Sequence, residues 1–271
     1  MQDVTADLGS FRRVALLGGI YSNHFALREA LALARRRRAE MVVALGDLGA
    51  FGPHPDRAIE ILRQQRIPVV MGNYEESLST GAADCHCGYT DPRDNHFAQI
   101  SYDYTAARTS AEHRRWMAGL PRALRLTVGG RRVLLCHGSP RRINEFLWSS
   151  TTPEPFIRRL LRDHDADLVA CTHTGLPWTR FVEPGRGVVN VGAVGRPPND
   201  GGTSVRMAVL EAAGPGGVEA AILPLEYDHP ALAREMEEEK LPPEFVETIR
   251  TGWWTCCLEI LPAKERAAGR Y

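Results

Sequence analysis

Four residues at the ends of short apolar runs have side chains that bind metal ions. Gly46-Asp47 follows the run Met41–Leu45, and Gly72-Asn73 follows Ile67–Met71. His137-Gly138 follows Val133–Cys136, and Thr172-His173-Thr174 follows Leu168–Cys171. Runs this short, rich in Val and Leu and abruptly ended, read as buried strands. In open α/β sheets functional groups gather beyond the carboxyl ends of strands. One carboxylate, one amide oxygen and two imidazoles are therefore expected on one edge. That mixed donor set suits manganese, iron or zinc better than calcium or magnesium. Taken singly, each position has a plainer explanation, since Gly-Asp is a common turn or helix cap and a strand-end histidine is commonly structural. Recurrence on successive strand ends favours the metal explanation.

The elements that must position these residues alternate along the chain. Val14–Leu17 reads as a further strand, and helical patterns fall over Asn23–Arg38, Asp56–Gln65 and Pro153–His164. Strand and helix in alternation imply βαβ units and a partly parallel sheet. Farther on, Arg180–Asn190, Ser204–Glu211 and Val218–Leu225 read as strands separated by Gly/Pro-rich turns, which suggests a second sheet packed on the first. Ala231–Lys240 and Glu244–Arg250 turn helical again, split by Leu241-Pro242-Pro243. The expected architecture is one α/β domain over residues 1–227, a two-sheet sandwich flanked by helices in four layers (α/β/β/α), with a helical tail over 228–271 packed on it. The long stretch Ser79–Gln99 reads as irregular, and loops of that length are commonly functional.

Bulk properties narrow the class of partner. Lysine plus arginine and aspartate plus glutamate number 33 each, so the formal net charge is zero. Neither nucleic acid nor a membrane surface has an electrostatic reason to bind. The basic run Arg35–Arg38 reads as a solvated helix end, where cations meet the negative end of the helix dipole. No run has the roughly 20 apolar residues of a membrane span, and the segment from Met1 to Ser10 lacks the pattern of a secretory signal. Of six cysteines, Cys136 and Cys171 lie in strand-like runs, while Cys85 with Cys87 and Cys256 with Cys257 are too close for easy mutual bridging. A reducing cytoplasm is the expected setting.

The four motifs resemble, in order and spacing, those of calcineurin-like metallophosphoesterases. Gly46-Asp47 running into Gly52-Pro53 is similar to that family's Gly-Asp loop, and Gly72-Asn73-Tyr74-Glu75 to its Gly-Asn-His-Asp/Glu motif. Leu135-Cys136-His137-Gly138-Ser139-Pro140 resembles the His-Gly-Ser-Pro motif. Thr172-His173-Thr174-Gly175-Leu176-Pro177 stands where Gly-His-Thr-His-x-Pro is expected, and Asn190–Gly195 where Asn-Pro-Gly-Ser-Val-Gly is expected. The resemblance covers nearly the whole chain. It implies hydrolysis of a phosphomonoester or phosphodiester of a small molecule, with divalent transition-metal ions.

Two motifs depart from the family pattern at metal ligands. Where the family has Asp-x-His-Gly-Asn, this chain has Gly19-Ile20-Tyr21-Ser22-Asn23, and the last histidine of Gly-His-Thr-His is Gly175. By resemblance these losses fall on one metal, while Asp47, Asn73, His137 and His173 keep the ligands of the other. At least one ion is implied; a second would need new ligands, for which Asp84, Cys85, His86, Cys87, Asp91, Asp94 and His96 are candidates, with His24 and His54 by position alone. Tyr74 replaces a histidine that assists the leaving group in relatives, and either donates a proton there or fills space. The retained Asn23 is expected to line the substrate pocket. Two functions stay open: a phosphoesterase with an altered metal site, and a regulatory protein of the same fold that binds metal and phosphate with little or no turnover. Trp253-Trp254 reads as a tail packed back on the domain or as the subunit contact of a homo-oligomer.

Overall fold

Alternate residues of the central strands are buried against different partners, and this sets the layering. In β2 (Arg13–Leu17), Val14 and Leu16 face one apolar cluster and Ala15 and Leu17 another. A strand buried on both faces carries a continuous apolar run, as this one does. The structure, a computed structural model, describes residues 4–214 and 216–269. The remaining strands are β1 (Val4–Phe11), β3 (Met41–Ala44), β4 (Ala123–Val128), β5 (Arg131–Cys136), β6 (Leu168–Cys171), β7 (Trp178–Glu183), β8 (Arg186–Asn190), β9 (Val205–Ala212) and β10 (Val218–Leu225). They form a six-stranded sheet in the order β1-β4-β5-β6-β8-β7 and a four-stranded sheet in the order β10-β9-β2-β3.

Between the sheets lie Val14, Leu16, Val43 and Leu45 from one side and Leu126, Leu135, Leu168 and Val189 from the other. The outer face of the smaller sheet is covered by α1 (His24–Arg36), α2 (Pro55–Gln64), α7 (His229–Glu238) and α8 (Pro243–Thr251). The larger sheet's outer face is covered by α6 (Glu154–Asp163), through Ile157, Leu160 and Leu161. This is the four-layer α/β/β/α sandwich read from the sequence. The remaining helices, α3 (Asn73–Thr80), α4 (Pro92–Arg108), α5 (Ala111–Met117) and α9 (Ala263–Ala268), lie outside the sheets. Among the described residues no helix is long and apolar enough to cross a membrane.

Several local expectations need correction. The second sheet is not assembled from the second half of the chain: β9 and β10 join β2 and β3, whereas β7 and β8 extend the sheet of β4, β5 and β6. Arg180–Asn190 is part of a hairpin rather than one strand, because Gly185 turns the chain at φ +70°. Ile67–Met71 makes a single parallel bridge, Val69 to Ala44, since Pro68 has no N–H to give a ladder. The irregular stretch is confined to residues 81–91, because Asp91 caps α4 by accepting from the Arg93 N–H at 2.7 Å. Cys85 and Cys87, expected to be too close to bridge, form a disulfide, while Cys136, Cys171, Cys256 and Cys257 are free and buried.

Candidate metal centre

Both sheets contribute to one site at their carboxyl edges. Asp47 follows β3 of the smaller sheet, while His137 and His173 follow β5 and β6 of the larger one. His137 Nε2 lies 3.2 Å from Asp47 Oδ2 and 3.1 Å from His173 Nδ1. Nitrogen and oxygen donors of the three residues all fall within 4.8 Å of one another. All are buried: Asp47 is 4 % exposed, His137 1 % and His173 8 %.

The backbone is bent to bring these side chains together. Asp47 and His173 both adopt left-handed conformations, at φ +53° and +66°. Each costs an L-residue on the order of 1–2 kcal/mol, and such outliers collect at functional sites. The Asp47 turn is held by Glu75, whose carboxylate accepts from the N–H groups of Gly72 (2.8 Å), Asp47 (2.8 Å) and Leu48 (2.9 Å). Glu75 was missed as a functional residue. Its sequence signals are its place at the end of the Gly72–Glu75 motif and its position three residues after Gly72, where an acid reaches back to the start of a helix.

The electrostatics are those of a ligand set. Burial pushes the Glu75 carboxyl up to about 7, with the Asp47 charge adding to the rise. Burial acts against the charge on Asp47 too, but the attraction of His137 outweighs it and holds that carboxyl below its usual range. At His137 the same contest runs the other way: burial lowers its pKa, and Asp47 more than reverses this. Burial and the neighbouring His137 charge push His173 down to about 3, so its ring is neutral. His137 Nδ1 donates to the Leu45 carbonyl at 2.6 Å, which fixes the ring and turns Nε2 toward the cluster.

Asn73, fully buried at the start of α3, spends its amide nitrogen on the Cys85 carbonyl at 2.8 Å and the Cys87 sulfur at 3.4 Å. Its Oδ1 has no hydrogen-bond partner among the described residues. Buried polar atoms are rarely left so. An orphaned amide oxygen, one carboxylate and two imidazoles fit a divalent transition-metal ion.

Other candidates lie elsewhere. Tyr74 sends its hydroxyl to Ser101 Oγ at 2.9 Å and packs edge-on against Tyr102, which fits the space-filling alternative and not a proton donor at the cluster. Burial holds its phenol well above the ordinary value. Asn23, expected to line the pocket, caps α1 instead: Oδ1 accepts from the Ala26 N–H at 2.9 Å, and the residue is fully buried. His24 pairs with Glu235 at 3.0 Å, and His54 lies 3.8 Å from the same carboxylate. His86 meets Ser77 Oγ at 3.2 Å, Asp91 caps α4, Asp94 accepts from the Ile260 N–H at 2.8 Å, and His96 stacks edge-on against Phe97. None joins the cluster; the bridged Cys85 and Cys87 meet Asn73, and the Cys87 backbone also reaches His173.

Other side chains occupy the space at Gly19 and Gly175, where the family pattern leads one to expect further ligands. A Cβ on Gly19 would stand 2.4 Å from the Tyr21 ring, so that ring lies over the backbone where a first-motif aspartate would begin. A Cβ on Gly175 would stand 3.3 Å from two carbons of the Trp254 ring, and Gly175 is itself at φ +71°. Trp254 is packed back on the domain, its indole N–H donating to the Pro197 carbonyl at 2.6 Å. Between the two rings and His173 is a cavity of about 20 Å³. That is room for about one water molecule.

Comparison with known proteins bears on the family and the fold. The family profile described as the calcineurin-like phosphoesterase superfamily domain matches residues 13–213. An uncharacterized protein of Methanocaldococcus jannaschii is 21 % identical over 256 residues, 88 % of this chain and 98 % of that one. The crystal structure of a hypothetical protein from Pyrococcus horikoshii superposes with a TM-score of 0.75 at 20 % identity, covering 90 % of this chain and 99 % of the other. A metallophosphoesterase from Sphaerobacter thermophilus superposes with a TM-score of 0.66 at 25 % identity, covering 89 % and 98 %.

Proposed function

The chain belongs to the calcineurin-like phosphoesterase superfamily, and from that premise we propose that it is a metal-dependent phosphoesterase built around a single divalent ion. Its substrate is a small molecule carrying a phosphomonoester or phosphodiester. The observation that carries this reading is the convergence of Asp47, His137 and His173, supported by the buried, unpartnered oxygen of Asn73. Asp47, Asn73, His137 and His173 would hold manganese, iron or zinc. Such an ion, when bound, polarises a phosphoryl oxygen and acidifies a bound water.

The chain's own residues make the site ready for that ion. Leu45 holds the His137 tautomer, Glu75 clamps the Asp47 turn, and Cys85 orients the Asn73 amide. Burial keeps His173 neutral and able to donate a lone pair. The altered half of the site, with Gly19, Tyr21 and Gly175, supplies no comparable ligands.

A second reading is favoured by one observation. The cavity beside His173, about 20 Å³, is too small for a phosphate ester unless the wall formed by Trp254 moves. A protein that holds the metal without turnover would need no such movement. Assay of metal-loaded protein on aryl phosphate monoesters and diesters separates the two. Hydrolysis that disappears in His137→Ala supports the enzyme, hydrolysis that survives the substitution removes the site from the reaction, and metal uptake without hydrolysis supports the binding protein.

A further inference from the structure

Arg196 follows the Asn190–Gly195 turn, is only 5 % exposed, and lines the small cavity together with His173, Tyr21 and Trp254. Its guanidinium carbon lies 3.9 Å from the centre of the Trp254 ring and 4.7 Å from that of Phe51, a cation held between two aromatic faces. One nitrogen, Nη2, donates to the Cys256 carbonyl at 2.8 Å. Among the described residues no carboxylate pairs with it.

A buried charge without a counter-ion is costly, and aromatic faces recover only part of that cost. The half-buried Arg206, by contrast, pairs with Asp200 at 2.7 Å. The Arg196 fork has five N–H donors, of which one carbonyl occupies a small share. Its charge also reaches the Tyr21 phenol, the same group that feels the Asp47 carboxylate. Arg196 thus lies on the Tyr21 side of the ligand cluster, the side that lacks metal ligands.

We infer that Arg196 is an anion-recognition residue, whose guanidinium binds a phosphoryl oxygen of the ligand beside the single metal ion. A fixed guanidinium would supply on this side the positive charge that a second ion gives elsewhere, with a planar geometry matched to phosphate oxygens. It binds and orients the group and does not activate water. The cavity admits one oxygen atom next to His173; a complete phosphate enters as the Trp254 side chain shifts. The identity of the anion rests on the phosphoester reading above, whereas the call for an anion rests on the uncompensated charge.

The test is calorimetric titration of inorganic phosphate into metal-loaded full-length protein, comparing wild type with Arg196→Gln and Arg196→Lys, with metal content measured on the same samples. The inference expects unchanged metal content, phosphate affinity at least about tenfold weaker in Arg196→Gln, and an intermediate value in Arg196→Lys, which keeps the charge but loses the fork. Equal affinity in all three proteins overturns it, as does the absence of saturable phosphate binding in wild type. Should neither variant fold, phosphate-dependent fluorescence decides: a change in wild type that is missing in Trp254→Phe supports the inference, and no change overturns it. Phosphate binding that needs Arg196 in a protein without hydrolytic activity would sustain the inference while the enzyme reading fails. Hydrolysis with phosphate affinity indifferent to Arg196 would do the reverse.

Discussion

His137 Nε2 and His173 Nδ1 face each other at 3.1 Å inside the protein, with Asp47 Oδ2 3.2 Å from the first of them. Two imidazole nitrogens meet at that distance when one carries a proton. The Asp47 carboxylate beside His137 Nε2 favours a proton on that nitrogen, in keeping with the raised pKa of His137. A proton and a metal ion therefore compete for the same lone pair.

That competition has a definite sign. His137 is raised above its ordinary value of 6.5, so in the metal-free protein its pair with Asp47 contributes stability that is present below pH 6.5 and lost as pH rises through the folded value. Glu75, raised from 4.5 to about 7, acts in the same direction up to that point. Metal binding displaces the proton, so metal affinity should climb with pH by up to about tenfold per unit while His137 titrates. The increase in melting temperature caused by manganese or zinc should thus be larger at pH 8 than at pH 6.5. Thermal melts at fixed free metal across that range check this, and a shift independent of pH would show that His137 is not displaced.

Glu75 is predicted to be essential to the loop without being a ligand. Glu75→Gln turns an NH2 group toward backbone N–H donors, at a cost of about 1–3 kcal/mol per unpaired group. Chemical denaturation should show that loss, and elemental analysis should show metal affinity down by about 10–100-fold, the range for residues that support a ligand. Asp47→Asn should bind metal more weakly still, with less loss of metal-free stability than Glu75→Gln. The opposite ranking in metal affinity would make Glu75 the ligand.

The sequence carried the scaffold and the four donor residues because both depend on local signals. Apolar runs such as Val133–Cys136 ended abruptly at residues with donor atoms, and alternate burial on two faces produced the layers. Roles set by distant partners were not legible. Asn23 looks the same whether it lines a pocket or caps α1, and Tyr74 whether its hydroxyl meets a substrate or Ser101. Arg196 gains its meaning from Trp254, more than fifty residues away, and no spacing rule links them. Residue type alone does not fix the left-handed turns at Asp47 and His173; at Asp47 the turn is held by Glu75, 28 residues on.

The disulfide loop bears on the metal centre through the Asn73 side chain and through the Cys87 backbone beside His173. Asn73 donates to both the Cys85 carbonyl and the Cys87 sulfur, so the loop orients its amide oxygen. Replacing both cysteines by serine should lower metal affinity by up to about tenfold, the weak end of the effect of second-layer partners. Asn73→Ala should lower it further. Metal titrations on the two variants check the ranking, and a larger loss in the cysteine variant would mean that a sulfur atom is itself a ligand.

Restoring the missing ligands one at a time should fail, for steric reasons. Gly175→His must hold an L-residue at φ +71°, which costs about 1–2 kcal/mol, with its Cβ 3.3 Å from the Trp254 ring. Gly19→Asp brings a Cβ within 2.4 Å of the Tyr21 ring, closer than side-chain carbons approach. Each single variant should lose stability and gain no second ion. Contacting residues are not additive, so Gly175→His combined with Trp254→Ala should cost less than the sum of the two separate losses. The part due to backbone strain should persist in the double variant, since removing the indole leaves φ unchanged. Denaturation of the two single variants and the double one measures the coupling. Strict additivity would show that Trp254 yields freely, and the lost histidine would then owe its absence to the backbone alone.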